Sequence, residues 1–242
     1  MRVSLLEIDS EVLGGAVLSL DQCSGDEDIQ AAELAFVQAH HPSYVAVKLP
    51  LEDIVSIHRF EDAGFRLVET QLRLRLRLRK AFDVRDLPYR FERVLTEEAL
   101  APVLDIAGEA FTADRFSADP RTPKDTSGRR YRRYVERSLK APDERVYRLV
   151  NAVSGEVVAF KTHRVLGPGE IQLLLGGVKT GYRSAGIGAL NEYFEFNLLR
   201  EEGVRSVVTH VSAKNYPVLN LEVSGLGFRV EAAFAVLRKV YE

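Results

Sequence analysis

IQLLLGGVKTGYRSAGIGALNEYFEFNLLREEGVRSVVTHVSAKN, residues Ile171 to Asn215, reads as strand, glycine-rich turn, helix and strand. The apolar run Ile171 to Val178 has strand character, Lys179 to Arg183 turn the chain, and Ser184, Ala185, Gly186, Ile187 and Gly188 open a helix. A helix that starts there turns free backbone N–H groups and the positive end of its dipole toward whatever lies above the turn. Without side chains at Gly186 and Gly188 an anion such as a pyrophosphate reaches the backbone, and Arg183 adds a charge-assisted contact.

Two phosphate motifs are excluded by the residues present. No GxxxxGK[ST] occurs, and GxGxxG following the first strand of a βαβ unit, with an acidic residue about 20 positions on, is also missing. What stands is RxxGxG, as Arg183, Gly186 and Gly188. Downstream come a strand over Val204 to Val211, Asn215, a short helix, and Gly227-Phe228 opening a last strand pair that runs through Val240.

This order resembles the GCN5-related N-acetyltransferases (GNAT). The resemblance implies an α/β GNAT fold: a mixed, mostly antiparallel sheet with a splayed parallel strand pair and flanking helices. It also implies acetyl-CoA as co-substrate and no metal. Val178 then lends its N–H to the thioester carbonyl, Arg183, Ser184, Ala185, Gly186, Ile187 and Gly188 hold the pyrophosphate, and Asn215 meets the pantetheine arm.

Upstream, residues 1–82 read as a smaller α/β unit. Strands fall at Met1 to Ile8, Gly15 to Leu20 and Tyr44 to Leu49, and helices at Asp28 to His40 and Leu51 to Ala63. From Phe65 the chain alternates, with Leu72, Leu74, Leu76 and Leu78 on one face and Arg73, Arg75, Arg77 and Arg79 on the other. The arginines read as a solvated sheet face. GFRLVETQLRLRL here echoes GFRVEAAFAVLRKV at the end of the chain, an internal repeat. The first copy lacks RxxGxG, so this unit reads as a scaffold, a degenerate half of the same fold. Ala81 to Arg90 connects it to the second unit, residues 91–242.

That second unit starts with a helix from Thr96 to about Ala110, followed by a loop, Phe111 to Ser127, that carries Arg115 and Phe116. Next is a strongly basic helix, SGRRYRRYVERSLK, and two antiparallel strands, Arg145 to Asn151 and Val157 to Arg164. AFTADRF with DTSGRRYRRYVERSL, together with the earlier DSEVLGG, resembles the TDP-fucosamine acetyltransferase group, with Tyr134 where a tryptophan is usual. That likeness implies a nucleotide-linked amino sugar as acceptor amine, touched by Arg115, Phe116, Arg129 and Tyr131. A second reading keeps the enzyme and changes the amine, to a free amino sugar, an antibiotic, a polyamine or a peptide. A third is a non-catalytic acyl-CoA-binding protein.

Transfer from a thioester to an amine needs a base for the ammonium and a proton for the leaving thiolate. Glu170, His163 and His210 are candidates for the base, Glu170 first. The family's thiolate donor is a tyrosine, and here the sequence departs: counting forward from Asn215 reaches Glu222, counting back from Gly227 reaches Val223, as if one residue were inserted. Tyr216 is the nearest phenol and stands as the candidate acid.

Composition narrows the class. With 242 residues, 46% hydrophobic and 28% charged, the chain is an ordinary globular one, and a net charge of −2 argues against a nucleic-acid partner. One cysteine, Cys23, fits a reducing compartment, and no apolar run nears the roughly 18 residues of a membrane span. A cytoplasmic enzyme with a small-molecule amine partner and no membrane contact is expected, with a homodimer left open.

Overall fold

The alternation of Leu and Arg predicted a strand with two unlike faces, and that strand lies near the middle of a ten-stranded sheet. The structure, a computed structural model, describes residues 1–21, 28–112, 114–183 and 185–241, so that the readings of Cys23 and Ser184 fall outside it. The first part of the chain runs β1 (Arg2–Leu5), α1 (Glu7–Leu13), β2 (Ala16–Asp21), α2 (Ile29–His40), β3 (Pro42–Pro50), α3 (Ile54–Asp62) and β4 (Arg66–Arg77). It continues through β5 (Tyr89–Arg93), α4 (Glu97–Ala110), α5 (Arg115–Ala118), α6 (Thr126–Lys140), β6 (Glu144–Asn151), β7 (Val157–Gly167) and β8 (Glu170–Val178). A 3₁₀ turn (Thr180–Tyr182), α7 (Ile187–Glu201), β9 (Ser206–Ser212), α8 (Tyr216–Leu219), a π-helix (Asn220–Leu226) and β10 (Arg229–Val240) complete it.

The strand order is β1-β2-β3-β10-β4-β9-β8-β7-β6-β5. The two repeated segments are β4 and β10, and they pair with each other antiparallel, from Arg229↔Arg75 to Arg238↔Arg66. On its far side β10 pairs with β3, and β4 pairs with β9. Each half of the chain therefore lends its last strand to the other half's side of the sheet, and the parallel pair β2–β3 finds its counterpart in β8–β9.

The leucine face of β4 packs under α7, where Leu72, Leu74 and Leu76 meet Phe196, Leu199, Val207 and Val211. Under α2 and α3 the same face packs Val45, Val47 and Leu237 against Phe36 of α2 and Ile57 and Phe60 of α3. The opposite face is covered by α4 and α6, through Leu100, Val103, Val135 and Phe160. Where these two helices cross, a Cβ on Gly128 would lie 2.6 Å from the Gly108 carbonyl oxygen, so the glycine of the SGR motif is a packing requirement. The arginines of β4 lie on that face too, Arg75 bonding Glu170 and Glu231.

Three local expectations are corrected. The N-terminal strand stops at Leu5 because Ser10 donates to the Leu6 carbonyl (2.8 Å) and accepts from Val17 N–H (2.9 Å), which folds Glu7–Leu13 into a helix closed by left-handed Gly14. Residues 229–240 form one long strand rather than a pair, since partners await on both sides. The connection between the halves ends in β5, which pairs with β6 as the sheet edge.

Candidate active site at the parted strands

β8 and β9 pair in parallel at only three positions, Glu170↔Ser206, Ile171↔Val207 and Gln172↔Val208. Beyond Gln172 they part. The cause lies in β8, whose register against β7 slips between His163↔Leu173 and Thr162↔Leu175, leaving Leu174 as a bulge. Thr162 stabilises the slip by accepting from Leu175 N–H at 3.1 Å. Next come two glycines packed against large neighbours: a Cβ on Gly176 would sit 3.0 Å from Lys161 Cδ, and one on Gly177 would sit 2.5 Å from the Phe160 ring.

At the end of β8 the turn delivers the chain to α7. Gly186 is its N-cap at φ +74°, and a Cβ built there meets nothing within 4 Å. The first bond of the helix is Leu190 N–H to the Gly186 carbonyl (3.2 Å), so the N–H groups of Ile187 and Gly188 point out of the helix end. Such an open, positively polarised backbone fits a pyrophosphate. Asn215 caps the short α8 at the end of β9, at the open end of the gap, and its side chain makes no capping bond. Val178 thus ends β8 and Gly186, Ile187 and Gly188 open α7 on one side of the parted strands, while Asn215 follows β9 on the other. Ala185 lies in the turn before Gly186. Arg183 reaches the other way, donating to the carbonyls of Glu109 (2.8 Å) and Val178 (3.4 Å), and ties the turn to the end of α4.

The acceptor-side residues separate. Arg115 donates to Asp9 (2.9 Å) and Arg130 to the same carboxylate (2.6 Å), so the aspartate of the DSEVLGG stretch clamps α5 and α6 to the first half of the chain. Phe116 is buried against Tyr44 with those two guanidiniums flanking its ring. Tyr131 is buried and stacks on Phe111 at 3.9 Å, and burial raises its phenol pKa. Arg129 is exposed, paired with Asp125 at 2.9 Å. It lines a cleft of about 1170 Å³ together with Phe111, Phe116, Lys124, Arg132 and Lys179, the residue after Val178.

The base and acid candidates are scattered. Glu170 sits at the closed start of β8, bonded to Arg75. Tyr216 is 68% exposed at the start of α8. His210 lies beside Gln172 and Phe234, where burial and the charges of Lys48 and Arg73 lower its pKa to about 4. His163 is buried on the α7 side, 3.0 Å from Glu195.

Better places are occupied by Glu69, missed in the sequence, and by a cluster of which the sequence singles out only His163 and Glu222. Glu69 of β4 is buried near the open end of β9, hydrogen-bonded to Ser212, and burial raises its pKa above the usual carboxylate range. Under the parted strands, on the other face, lies a buried cluster of Lys161, His163, Glu192, Glu195 and Glu222. Lys161 bonds Glu192 and lies 3.3 Å from Glu195. Burial opposes the lysine's charge, yet the two carboxylates override it and raise its pKa. The available signal was in α7, where Asn191, Glu192 and Glu195 stand at buried positions between Ile187, Phe196 and Leu199. Among the described residues, no three His, Cys, Asp or Glu gather as metal ligands, and no helix is long and apolar enough to cross a membrane.

No protein family and no curated protein matches the chain. Solved structures do. A GCN5-related N-acetyltransferase from Sphaerobacter thermophilus aligns with TM-score 0.65 at 15% identity, covering 98% of this chain and 76% of that one. A tandem GNAT protein from the clavulanic acid biosynthesis pathway aligns at 0.64 and 15%, covering 94% and 76%. A GCN5-related N-acetyltransferase from Kribbella flavida aligns at 0.62 and 15%, covering 94% and 82%. At such identities the likeness carries the fold, and the fold is that of the GNAT proteins.

Proposed function

We propose that the chain is an acyl-CoA-dependent N-acyltransferase, acetyl-CoA being the donor. The observation that carries this reading is the conjunction of an open helix N-terminus at Gly186–Gly188, reached by the turn that ends β8, with the gap that opens between β8 and β9 beyond Gln172. Neither feature alone implies a thioester. Together they offer an anion cradle and, beyond it, a slot through the sheet. Bound there, the thioester supplies an activated acyl carbon.

The chain's own groups divide the remaining work. Backbone N–H groups at the end of β8, Val178 among them, polarise a carbonyl in the slot. Glu69, held near the open end of β9 with raised proton affinity, accepts the proton of the attacking amine, directly or through water. The acceptor enters by the cleft lined by Phe111, Phe116, Arg129 and Lys179. That cleft carries Lys124, Arg129, Arg132 and Lys179 beside Asp105, Glu109, Asp119 and Asp125, with Arg129 on Asp125 and Arg132 on Asp105, so what favours an amino sugar carried on a nucleotide diphosphate is the likeness of α6 to the TDP-fucosamine group. Residues 1–82 act as scaffold, supplying β4 and Asp9 to the second half.

Calorimetry with coenzyme A and a thiol-release assay over a panel of amines test this reading. Release with nucleotide-linked amino sugars and not with free ones supports the acceptor assignment, and Arg129→Ala should then raise KM for that acceptor about tenfold while leaving the KM for acetyl-CoA unchanged. Release with another amine moves the acceptor. Binding of coenzyme A without release from any amine turns the reading toward a non-catalytic acyl-CoA-binding protein.

A further inference from the structure

Glu222 takes no part in the chemistry assigned to the other residues, and its surroundings are unusual. It lies within the π-helix Asn220–Leu226, a turn wide enough to absorb the one residue inserted between Asn215 and Gly227. Its side chain is 5% exposed and its Oε2 has no hydrogen-bond partner. A Cβ on Gly188 would lie 3.9 Å from the side chain of the neighbouring Leu221, so the π-helix flanks the start of α7 and hence the slot. Charged groups act on it from two other elements, Glu192 on α7 and Lys161 on β7, and Glu195 and His163 stand behind them, Glu195 against both Lys161 and His163. Lys161 in turn lies against Gly176, in the stretch of β8 that has left β9.

One cation faces three carboxylates here, and Lys161 is already bonded to Glu192 and close to Glu195. Glu222 is left over. Burial, and then the charge of Glu192, raise its pKa to about 8 against the weaker pull of Lys161. At neutral pH it is a carboxylic acid whose buried Oε2 has no hydrogen-bond partner among the described residues. An unsatisfied buried donor beside a ligand slot needs an explanation.

We propose that Glu222 is the proton donor to the thiolate that leaves when the acyl group is transferred, a role that rests on the acyltransferase reading. As the tetrahedral adduct collapses, the C–S bond breaks and its electron pair stays on sulfur. The Glu222 O–H bond breaks toward that sulfur, giving a neutral thiol and a carboxylate, while the amine's proton has gone to Glu69 or water. Solvent then returns a proton to Glu222. An ordinary thiol titrates near pH 8.5, so donor and acceptor are nearly matched, the condition under which a general acid is most effective.

The test uses the full chain, acetyl-CoA and the fastest amine of the panel. Glu222→Gln keeps the shape and removes the transferable proton. Its kcat should fall about 10²-fold at pH 7 with the KM for acetyl-CoA unchanged, and the fall of kcat above about pH 8 should disappear. A thioester donor with a more acidic thiol should erase most of the difference between the variant and the parent, which a merely structural residue would not do. Independently of turnover, infrared difference spectra of the parent should show a carboxylic acid carbonyl band titrating near pH 8 and missing in Glu222→Gln. If coenzyme A binds and amide forms but Glu222→Gln retains kcat and the pH profile, the assignment of Glu222 is wrong and the acyltransferase reading survives. Absence of the infrared band in the parent also overturns it, even if the variant does not fold. If coenzyme A does not bind the parent at all, both fall together.

Discussion

The two parallel strand pairs of the sheet occupy equivalent places and behave differently. β2 and β3 stay paired from Ala16↔Pro42 to Leu20↔Val47, over an underside of Ile29, Phe36, Val47, Ile57 and Phe60. β8 and β9 part after Gln172, over an underside that includes Lys161, His163, Glu192, Glu195 and Glu222. The closed pair rests on an apolar core, and the open pair on an apolar core of Ile171, Leu173, Phe196, Leu199 and Val211 with buried charge set beside it. Burying charge is unfavourable unless it is paired, so the contrast between the two undersides marks the open pair as the place to test for function.

The largest expected effect comes from removing the charge balance of the open half. Lys161→Met leaves Glu192 and Glu195 without a cation and should cost about 3–5 kcal/mol in denaturant unfolding. The triple variant Lys161→Met, Glu192→Leu, Glu195→Leu should recover most of that stability by making the underside resemble its counterpart. Failure of the recovery would mean that the charges do more for the fold than the comparison allows.

Next is the cradle. Gly186→Val puts a branched side chain into the open space above the turn and should weaken coenzyme A at least about 100-fold by calorimetry. At φ +74° the valine also costs about 1–2 kcal/mol of stability, small enough to leave the chain folded. Unchanged affinity in the folded variant would leave the two halves without a functional distinction.

Glu222 offers a pH signature. Its pKa is raised from 4.5 to about 8, so between those values the unfolded chain loses a proton that the folded one keeps, and stability falls as pH rises. Glu222→Gln should remove this slope. The variant's advantage over the parent should grow by about 2–3 kcal/mol from about pH 5 to pH 7, read from chemical unfolding at each pH.

The smallest effect belongs to His210. Burial and nearby cations lower its pKa from 6.5 to about 4, so its contribution is complete above pH 6.5 and is lost as pH falls toward 4. His210→Gln should flatten the acid side of the stability curve by about 1 kcal/mol between roughly pH 6 and pH 5. No such change would place His210 in solvent rather than among Lys48, Arg73 and Phe234.

Local pattern determined much of this. RxxGxG after an apolar run is a strand, turn and helix start whatever surrounds it, because glycine's freedom and the open N–H groups are properties of the backbone. The alternation in β4 declared a leucine face and an arginine face, and the repeat of GFR marked the segments that became β4 and β10, although the second reads in the sequence as a strand pair. Tertiary structure decided what pairing and burial alone decide. That the two repeats lie side by side, each against the other half's strands, depends on contacts between residues more than 150 apart. Glu170 looked well placed at a strand start, but Arg75, 95 positions away, takes its carboxylate. Glu69 was read as part of a strand, and only the arrival of Ser212 beside it reveals a buried acid. Glu222 was visible as an oddity of spacing. Its proton is held by burial and by the charge of Glu192 against the pull of Lys161, which no linear pattern records, because a group's pKa depends on how far folding removes it from water and which charges folding brings near it.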